Sequence, residues 1–527
     1  MKKIKILIVS SLVALGFSGC QKIIDQDPVS NVAVNQFYRN YDEVKTALSG
    51  CYNGLQEPLA TEWMLTEQRS DISKQSSPTS ATTSNIELNE LNMYLENATH
   101  DKVYDYWIST YRNVRSVNYV LKSLGASYEN GAIKLGAGTA SVSDTQRKQL
   151  AGEALFLRAY HYFNLVRLYG GVFLLTEPVD ADAAKMINRS SVEDNYKLII
   201  ADLQAAASYL PRTKYGAAPA DDLGRVTTWA AEAMLAKVYL TLHRKADALT
   251  LLDDVIANSG HGLETSYANI FSTINEMNKE VLFAVRYKAG GLGLGSPMAN
   301  TFAPTSSGSA VINGDGSGLN YPTTSLNSAY RTPTTGFADQ RKAVTIGTYS
   351  TKLYVKKFLS PVLVKFDAEN DFAVIRYSDV LLMKAEAIGF DGAAGVSVGL
   401  INQIRQRSGA GTYTTGNFDA GFFLYPAVGT GSIATSDAFL TALLNERRLE
   451  FAFENQRFFD LQRNDVLIST VQKYFSDEYS THYRRYQPTI TLADLQAKVT
   501  QNKTLLPIPQ REIDTNDKII IPQNADY

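Results

Sequence analysis

The sequence is short of cysteine, histidine and tryptophan, and each shortage removes a class of explanation. The five histidines (His100, His161, His243, His261 and His482) are scattered and form no H-E-x-x-H pair. There is no C-x-x-C, no Walker loop and no G-x-S-x-G, so the local signatures of zinc proteolysis, dithiol redox chemistry, nucleotide hydrolysis and serine hydrolysis are all missing. Excess charge of one sign is missing too. The chain carries 51 basic and 53 acidic residues, a net charge of −2, without the concentrated basic footprint of a nucleic-acid binder. Cysteine stops at two, Cys20 and Cys51, and tryptophan at three, against 30 tyrosines and 22 phenylalanines.

What is present begins at the N-terminus. "MKKIKILIVSSLVALGFSGC" places Lys2, Lys3 and Lys5 before an apolar run from Ile6 to Phe17. That run is too short for a membrane span of ~20 residues and has the basic start and small-residue end of an export signal. Ser18-Gly19-Cys20 follows the pattern of a bacterial lipobox, with Phe17 standing where leucine is usual. The expectation is removal of residues 1–19 and acylation of Cys20, each acyl methylene contributing ~0.8 kcal/mol of membrane affinity. Cys51 then has no partner and is expected to be a small buried apolar residue.

Beyond a short spacer, helical periodicity dominates. Val44, Leu48, Cys51 and Leu55 recur at helical spacing. Residues 145–169 are apolar on two sides, as in a helix held between neighbours. Ser191 and Asp194 form an S-x-x-D start signal. "TTWAAEAMLAKVYLTLHRKADALTLLDDVIANSG" has the length and helix-turn-helix layout of a tetratricopeptide repeat, whose period is ~34 residues. One such unit cannot bury its own apolar face. Helix pairs at 42–57/101–124, 145–169/192–209, 227–241/244–258 and 377–389/397–407 supply four. The expected fold is mostly all-α, a right-handed superhelix of these pairs with long irregular loops and a few short strands. Residues 72–92 and 285–335 read as loops, and the end of the chain as an extended wrap. The division expected is 1–19 signal, 20–280 N-terminal helical region, and 281–527 C-terminal region with ligand-binding loops.

The stretch "NERRLEFAFENQRFFDLQRN" stacks Glu446, Glu450 and Glu454 at four-residue intervals. Two cooperating glycosidase carboxylates stand ~5–9.5 Å apart, one of them kept protonated. Here each glutamate lies near an arginine, and Arg447/Glu450, Glu454/Arg457 and Arg457/Asp460 are at i,i+3. Neighbouring guanidiniums favour the ionised carboxylate, the wrong state for a general acid. The stretch is read as a structural brace.

Several segments, in order, resemble the signatures of the SusD/RagB family of Bacteroidetes surface lipoproteins: "ALFLRAYHYFNLVRLYGGVFLLTEP", "FAVIRYSDVLLMKAEAI", "NQIRQRSGAG", "NERRLEFAFENQRFFDLQR" and "LLPIPQREIDTNDKIIIPQN". The final "QNADY" departs from the family's usual Gln-Asn-Pro-Gly-Tyr. The resemblance implies a helical scaffold lipid-anchored at the outer-membrane surface. It implies capture of an oligosaccharide, or in some members a peptide, for a TonB-dependent SusC-like barrel partner, with no cofactor and no catalysis. The alternatives are an all-helical glycoside hydrolase and an assembly subunit without a small ligand.

Sugar recognition needs an aromatic platform for C–H faces and amides or carboxylates for hydroxyls. Trp107 and Trp229 lie in strong helical patterns and are assigned to the core, as is His161. The ligand candidates are Trp63, Asn92 and Tyr94 in or near the first irregular region, and Phe302, Asn313, Asp315, Asn320 and Tyr321 in the second. "NGDGSG" resembles the start of a calcium loop but has Thr324 where the closing acid belongs, so it is read as a turn.

Overall fold

The computed structural model describes residues 37–75, 83–331, 337–390 and 394–527. The signal segment, Cys20 and the spacer lie outside the described residues. The principal helices are α1 (Tyr41–Asn53), α2 (Gln56–Thr66), α3 (Asp101–Ser123), α4 (Asp144–Tyr169), α5 (Val192–Tyr209) and α6 (Thr228–Thr241). They continue with α7 (Lys245–Asn258), α8 (Tyr377–Ile388), α9 (Ala394–Arg407), α10 (Ser436–Glu450), α11 (Arg457–Arg463) and α12 (Leu467–Glu478).

Local signals set several of these starts. Asn40 caps α1 by accepting from the N–H of Glu43. Ser143 and Gln146 form a reciprocal capping box on α4. Ser191 caps α5 through the N–H of Asp194, where the S-x-x-D signal placed it. The four expected pairs pack as α1/α3, α4/α5, α6/α7 and α8/α9, and α3 on α4, α5 on α6 and α7 on α8 join one pair to the next. Each pair thereby covers the apolar face its neighbour leaves open. One core runs from Val44 to Ile521 and takes in Trp107 and Trp229. A smaller one, with Leu382, Ile401, Ile404, Phe439 and Leu443, lies among α8, α9 and α10.

Among the described residues, strands are short and occur as four antiparallel pairs. They are β1 (Ser73–Lys74), β2 (Ala126–Glu129), β3 (Ala132–Leu135), β4 (Val281–Val285), β5 (Tyr321–Pro322), β6 (Ile346–Tyr349), β7 (Lys352–Val355) and β8 (Phe372–Arg376). The pairings are β1–β5, β2–β3, β4–β8 and β6–β7. β4 and β8 are largely buried and join segments almost a hundred residues apart.

Three expectations are corrected. Residues 42–57 are not one helix: the chain bends at Gly54, where a Cβ would collide with the Asn113 amide of α3. Residues 72–92 are not one loop, since β1 and a helix at Thr83–Asn92 lie within them. Residues 445–464 are two helices, broken between α10 and α11 by a turn in which Phe453 and Asn455 adopt φ of +67° and +58°.

Cys51 is buried, and burial pushes its thiol up to about 12. His161 is buried with its Nε2 2.8 Å from the Asn113 amide nitrogen, and burial pushes it down to about 3. The C-terminal tail does wrap a folded body. The Leu506 N–H donates to Leu168 O, the Gln510 N–H donates to Ala98 O, and the Tyr527 hydroxyl donates to Glu96 at 2.6 Å.

Candidate ligand-binding face

The two irregular regions meet, but in the interior. Antiparallel pairing sets Ser73 opposite Pro322 and Lys74 opposite Tyr321. Around that joint the Asn92 amide donates to Gln68 O at 2.6 Å and accepts from the Tyr483 hydroxyl. The Tyr94 hydroxyl donates to Arg69 O at 2.6 Å, and Asn320 Oδ1 accepts from Ser73 Oγ. Tyr94 is 1% exposed and Tyr321 5%, so they do not converge on an open face. Trp63 and Phe302 are equally buried, packed edge to face at 5.1 Å, with the indole N–H donating to Ala60 O. These six side chains form a joint between loops. The Asn92 amide, the Tyr94 hydroxyl and the Trp63 indole donate to backbone carbonyls, and the Asn92 and Asn320 oxygens accept from buried hydroxyls, because burying such groups unpaired would cost free energy.

The remaining two candidates lie at the surface. Asp315 accepts four backbone N–H bonds, from Ser306, Ser307, Gly308 and Gly316, at 2.9–3.0 Å. The N–H groups of Gly308 and Gly316 lead in holding its carboxyl at about 2. Oxygens committed to N–H donors are spent, so "NGDGSG" is a turn knotted by its own aspartate. Beside it the exposed Asn313 amide donates to Val362 O and Leu363 O at 3.3 and 3.1 Å. Buried Asn300 completes the tie: its Nδ2 donates to Asn313 O and Asp315 O, and its Oδ1 accepts from the Phe366 N–H, all at 2.9 Å.

The loop so fixed turns its side chains outward. Leu363 is 91% exposed and Phe366 43%. Phe366 sits at φ +66°, a region that non-glycine residues rarely occupy. Its ring lies 5.0 Å from Lys365 Nζ. Behind it, three alternate acids clamp the facing segment. Asp367 accepts from the N–H groups of Gly290 and Gly291, Glu369 takes the Lys288 ammonium and the Ala289 N–H, and Asp371 accepts from the Tyr287 N–H. An aromatic face, an ammonium and an amide with an open carbonyl oxygen are thereby presented on a braced backbone. Sequence reading missed Phe366. The available signal was the alternation in "KFDAEND", which places Phe366 just before the three acids.

The charged stretch 445–464 is a lattice, though not the one expected. Its partners come from other elements. Glu450 meets Arg341, Arg376 and Arg407 at 3.2, 2.9 and 2.5 Å. Glu446 meets Arg341 and Arg405 at 2.7 and 2.9 Å, and Glu454 meets Lys357 and Arg376 at 2.8 Å each. Arg447 bridges Asp379 and Asp460, and Arg457 reaches Asp71. The i,i+3 pairs Arg447/Glu450, Glu454/Arg457 and Arg457/Asp460 do not form, because Arg447 is taken by Asp379 and Asp460, Arg457 by Asp71, and Glu450 and Glu454 by cations of other elements; the close i,i+3 pair is Asp460–Arg463, at 2.5 Å. Burial pushes the Glu450 carboxyl up, but Arg407, Arg376 and Arg341 outweigh it and hold it well below the carboxylate range. That carboxyl is not a proton donor.

Fold and face together define a tetratricopeptide-like helical scaffold with braced loop insertions. Within that class the chain belongs to the SusD/RagB family. The model described as "SusD family" matches residues 334–527, and the one described as "Starch-binding associating with outer membrane" matches residues 25–240. SusD-like protein P25 of Formosa agariphila is 23% identical, over 98% of each chain. A SusD-like protein of Bacteroides ovatus is 27% identical over 54% of this chain and 50% of its own. Among solved structures, a "Laminarin binding SusD-like protein" superposes with a TM-score of 0.71 at 22% identity, covering 93% of this chain and 100% of that one. Surface glycan-binding protein A of Bacteroides thetaiotaomicron, solved with laminarihexaose, gives 0.68 at 18% identity over 92% and 99%.

Proposed function

We propose that this protein is a non-enzymatic binding lipoprotein of the outer-membrane surface. Anchored through Cys20, it captures an oligosaccharide and passes it to a TonB-dependent SusC-like barrel. Region 20–280 supplies the first three helix pairs of the frame, and region 281–527 the final pair and the binding loops. Family membership supports the role, as do two solved relatives, a laminarin-binding SusD-like protein and surface glycan-binding protein A in complex with laminarihexaose. The observation that carries the site is the outward Phe366 ring on the loop to which the exposed Asn313 amide donates, at Val362 O and Leu363 O. Stacking on the ring's face and hydrogen bonding at its edge suit a pyranose. Asp315 and Asn300 position this pair without touching ligand. Trp63, Asn92, Tyr94, Phe302, Asn320 and Tyr321 are the buried support.

The test is calorimetric titration of residues 21–527 with soluble glycans, laminarin among them, and with a peptide library. Saturable glycan binding without turnover is expected. Saturable peptide binding with no response to any glycan would replace this reading with the peptide one. Reducing ends released in proportion to protein would replace it with hydrolysis.

A further inference from the structure

A second concavity is lined in part by the segment that the three acids clamp. It is a cleft of about 390 Å³, within the ~300–1,000 Å³ typical of small-molecule sites and roomy enough for one or two sugar rings. One wall is the α1–α2 bend, with Tyr52, Asn53 and Gln56. The other is the end of β4 and its continuation, with Arg286 and Lys288. Gln56 fastens the two walls by donating to Arg286 O at 2.7 Å. Leu223, 53% exposed, and half-buried Leu294 form an apolar lip.

The cationic side chains of the cleft are already paired and the exposed Asp221 carboxylate in its lining is not, which decides what it can take. Arg225 pairs with Glu153 at 2.8 Å and lies 5.6 Å over the Tyr52 ring. Arg286 pairs through Nη2 with Glu276 at 2.7 Å and through Nε with Asp371 at 2.5 Å. Lys288 pairs with Glu369. An anionic ligand would have to displace a carboxylate and would also meet the unpaired charge of Asp221. A hydroxyl displaces nothing: it donates to one member of such a pair and accepts from the other. Arg286 Nη1, unused by either pair, lies under Gly224, where a Cβ would stand 3.1 Å from it at φ +88°. Glycine keeps that donor uncovered. Side-by-side donors and acceptors facing an apolar lip and an aromatic ring match a pyranose, with its hydroxyl edge and C–H faces.

We propose that this cleft is a second saccharide site, selective for a neutral pyranose over a uronate and separate from the Phe366 face. The assignment rests on the proposed function for its ligand class alone. The cleft wall at Arg286–Lys288 runs into the 287–291 segment held by Asp367, Glu369 and Asp371, the acids that follow Phe366 in the chain.

The experiment follows the Leu294 methyl resonances of the full soluble chain during titration with methyl β-glucoside, a β-linked glucose disaccharide and glucuronate. The titration is repeated in Phe366→Ala, Leu223→Asp and Arg286→Gln. Leu223 is an exposed lip residue, so its variant folds even if loss of the Arg286 pairs disturbs the other. Saturable shifts with the neutral sugars are expected, unchanged in Phe366→Ala and weakened at least about tenfold in Leu223→Asp, a loss of ~1.4 kcal/mol. Three results would overturn the second site: no saturable shift at Leu294, tighter binding of glucuronate, or an unchanged affinity in Leu223→Asp. If laminarin-type binding through Phe366 persists in those cases, the proposed function stands without the second site. If neither region responds to any glycan, both fall.

Discussion

Glu62 and Glu67, at the end of α2, are the carboxyls whose environment differs most from that of the lattice. Glu62 is hydrogen-bonded to the Tyr106 hydroxyl and to the Asn164 and Asn455 amides at 3.2–3.3 Å. Glu67 accepts from the Asn455 N–H. Burial raises Glu62 to about 7 and Glu67 to about 8, with Arg167 and Lys357 respectively offsetting it only in part. A carboxyl raised in the folded state contributes stability that is complete below the ordinary carboxylate range and disappears as pH climbs through the folded value. Melting temperature is therefore expected to fall between about pH 4.5 and pH 8, and Glu67→Gln is expected to flatten that fall. A melting series against pH checks it. Glu450 is the opposite case. Glu450→Gln leaves Arg376 and Arg407 short of a counter-charge and is expected to cost ~3–5 kcal/mol in chemical denaturation. The presence of this lattice was legible from the glutamate–arginine spacing. Its partners were not, because Arg341, Lys357, Arg376, Asp379, Arg405 and Arg407 come from elements distant in sequence that only the tertiary fold brings to this stretch.

At the scale of elements, the four helix pairs could be read from apolar spacing, small residues at close approaches and capping signals, all of them local. The loops could not. Gly, Ser and Thr composition marks 285–335 as irregular, but what orders it is long-range: Asn300 to Phe366, Asp367 to Gly290, β1 to β5. Tyr94 and Tyr321 look like surface residues in sequence because nothing local reports that a two-residue strand pair will bury both. The same reasoning gives a prediction for the Asp315 turn. Asp315→Ala removes the acceptor for four N–H groups. Amide exchange at Ser306, Ser307 and Gly308 is expected to accelerate by at least about tenfold, the equivalent of losing ~1.4 kcal/mol of local stability. Global unfolding should move little, because the turn lies at the surface. Exchange rates resolved by residue are the check. A rise across α4 as well would mean that the turn is part of the core.

Over the whole molecule, frame and face do different work. α4 is buried along most of its length and carries the buried Arg158–Asp202 pair, with bonds of 2.7 and 2.8 Å. The tail seals its end through Leu506. Nothing in this arrangement has to move for a ligand to reach Phe366. Damage to the frame should therefore lower stability, and damage to the face should lower affinity alone. The measurement that tests this most directly is the glycan dissociation constant and the melting temperature of Phe366→Ala/Asn313→Ala, set beside Arg158→Met. The face variant is expected to lose at least about tenfold in affinity with its melting temperature unchanged, while the frame variant melts earlier and, below its transition, binds as before. A face variant that binds glycan as tightly as the parent chain would contradict the account.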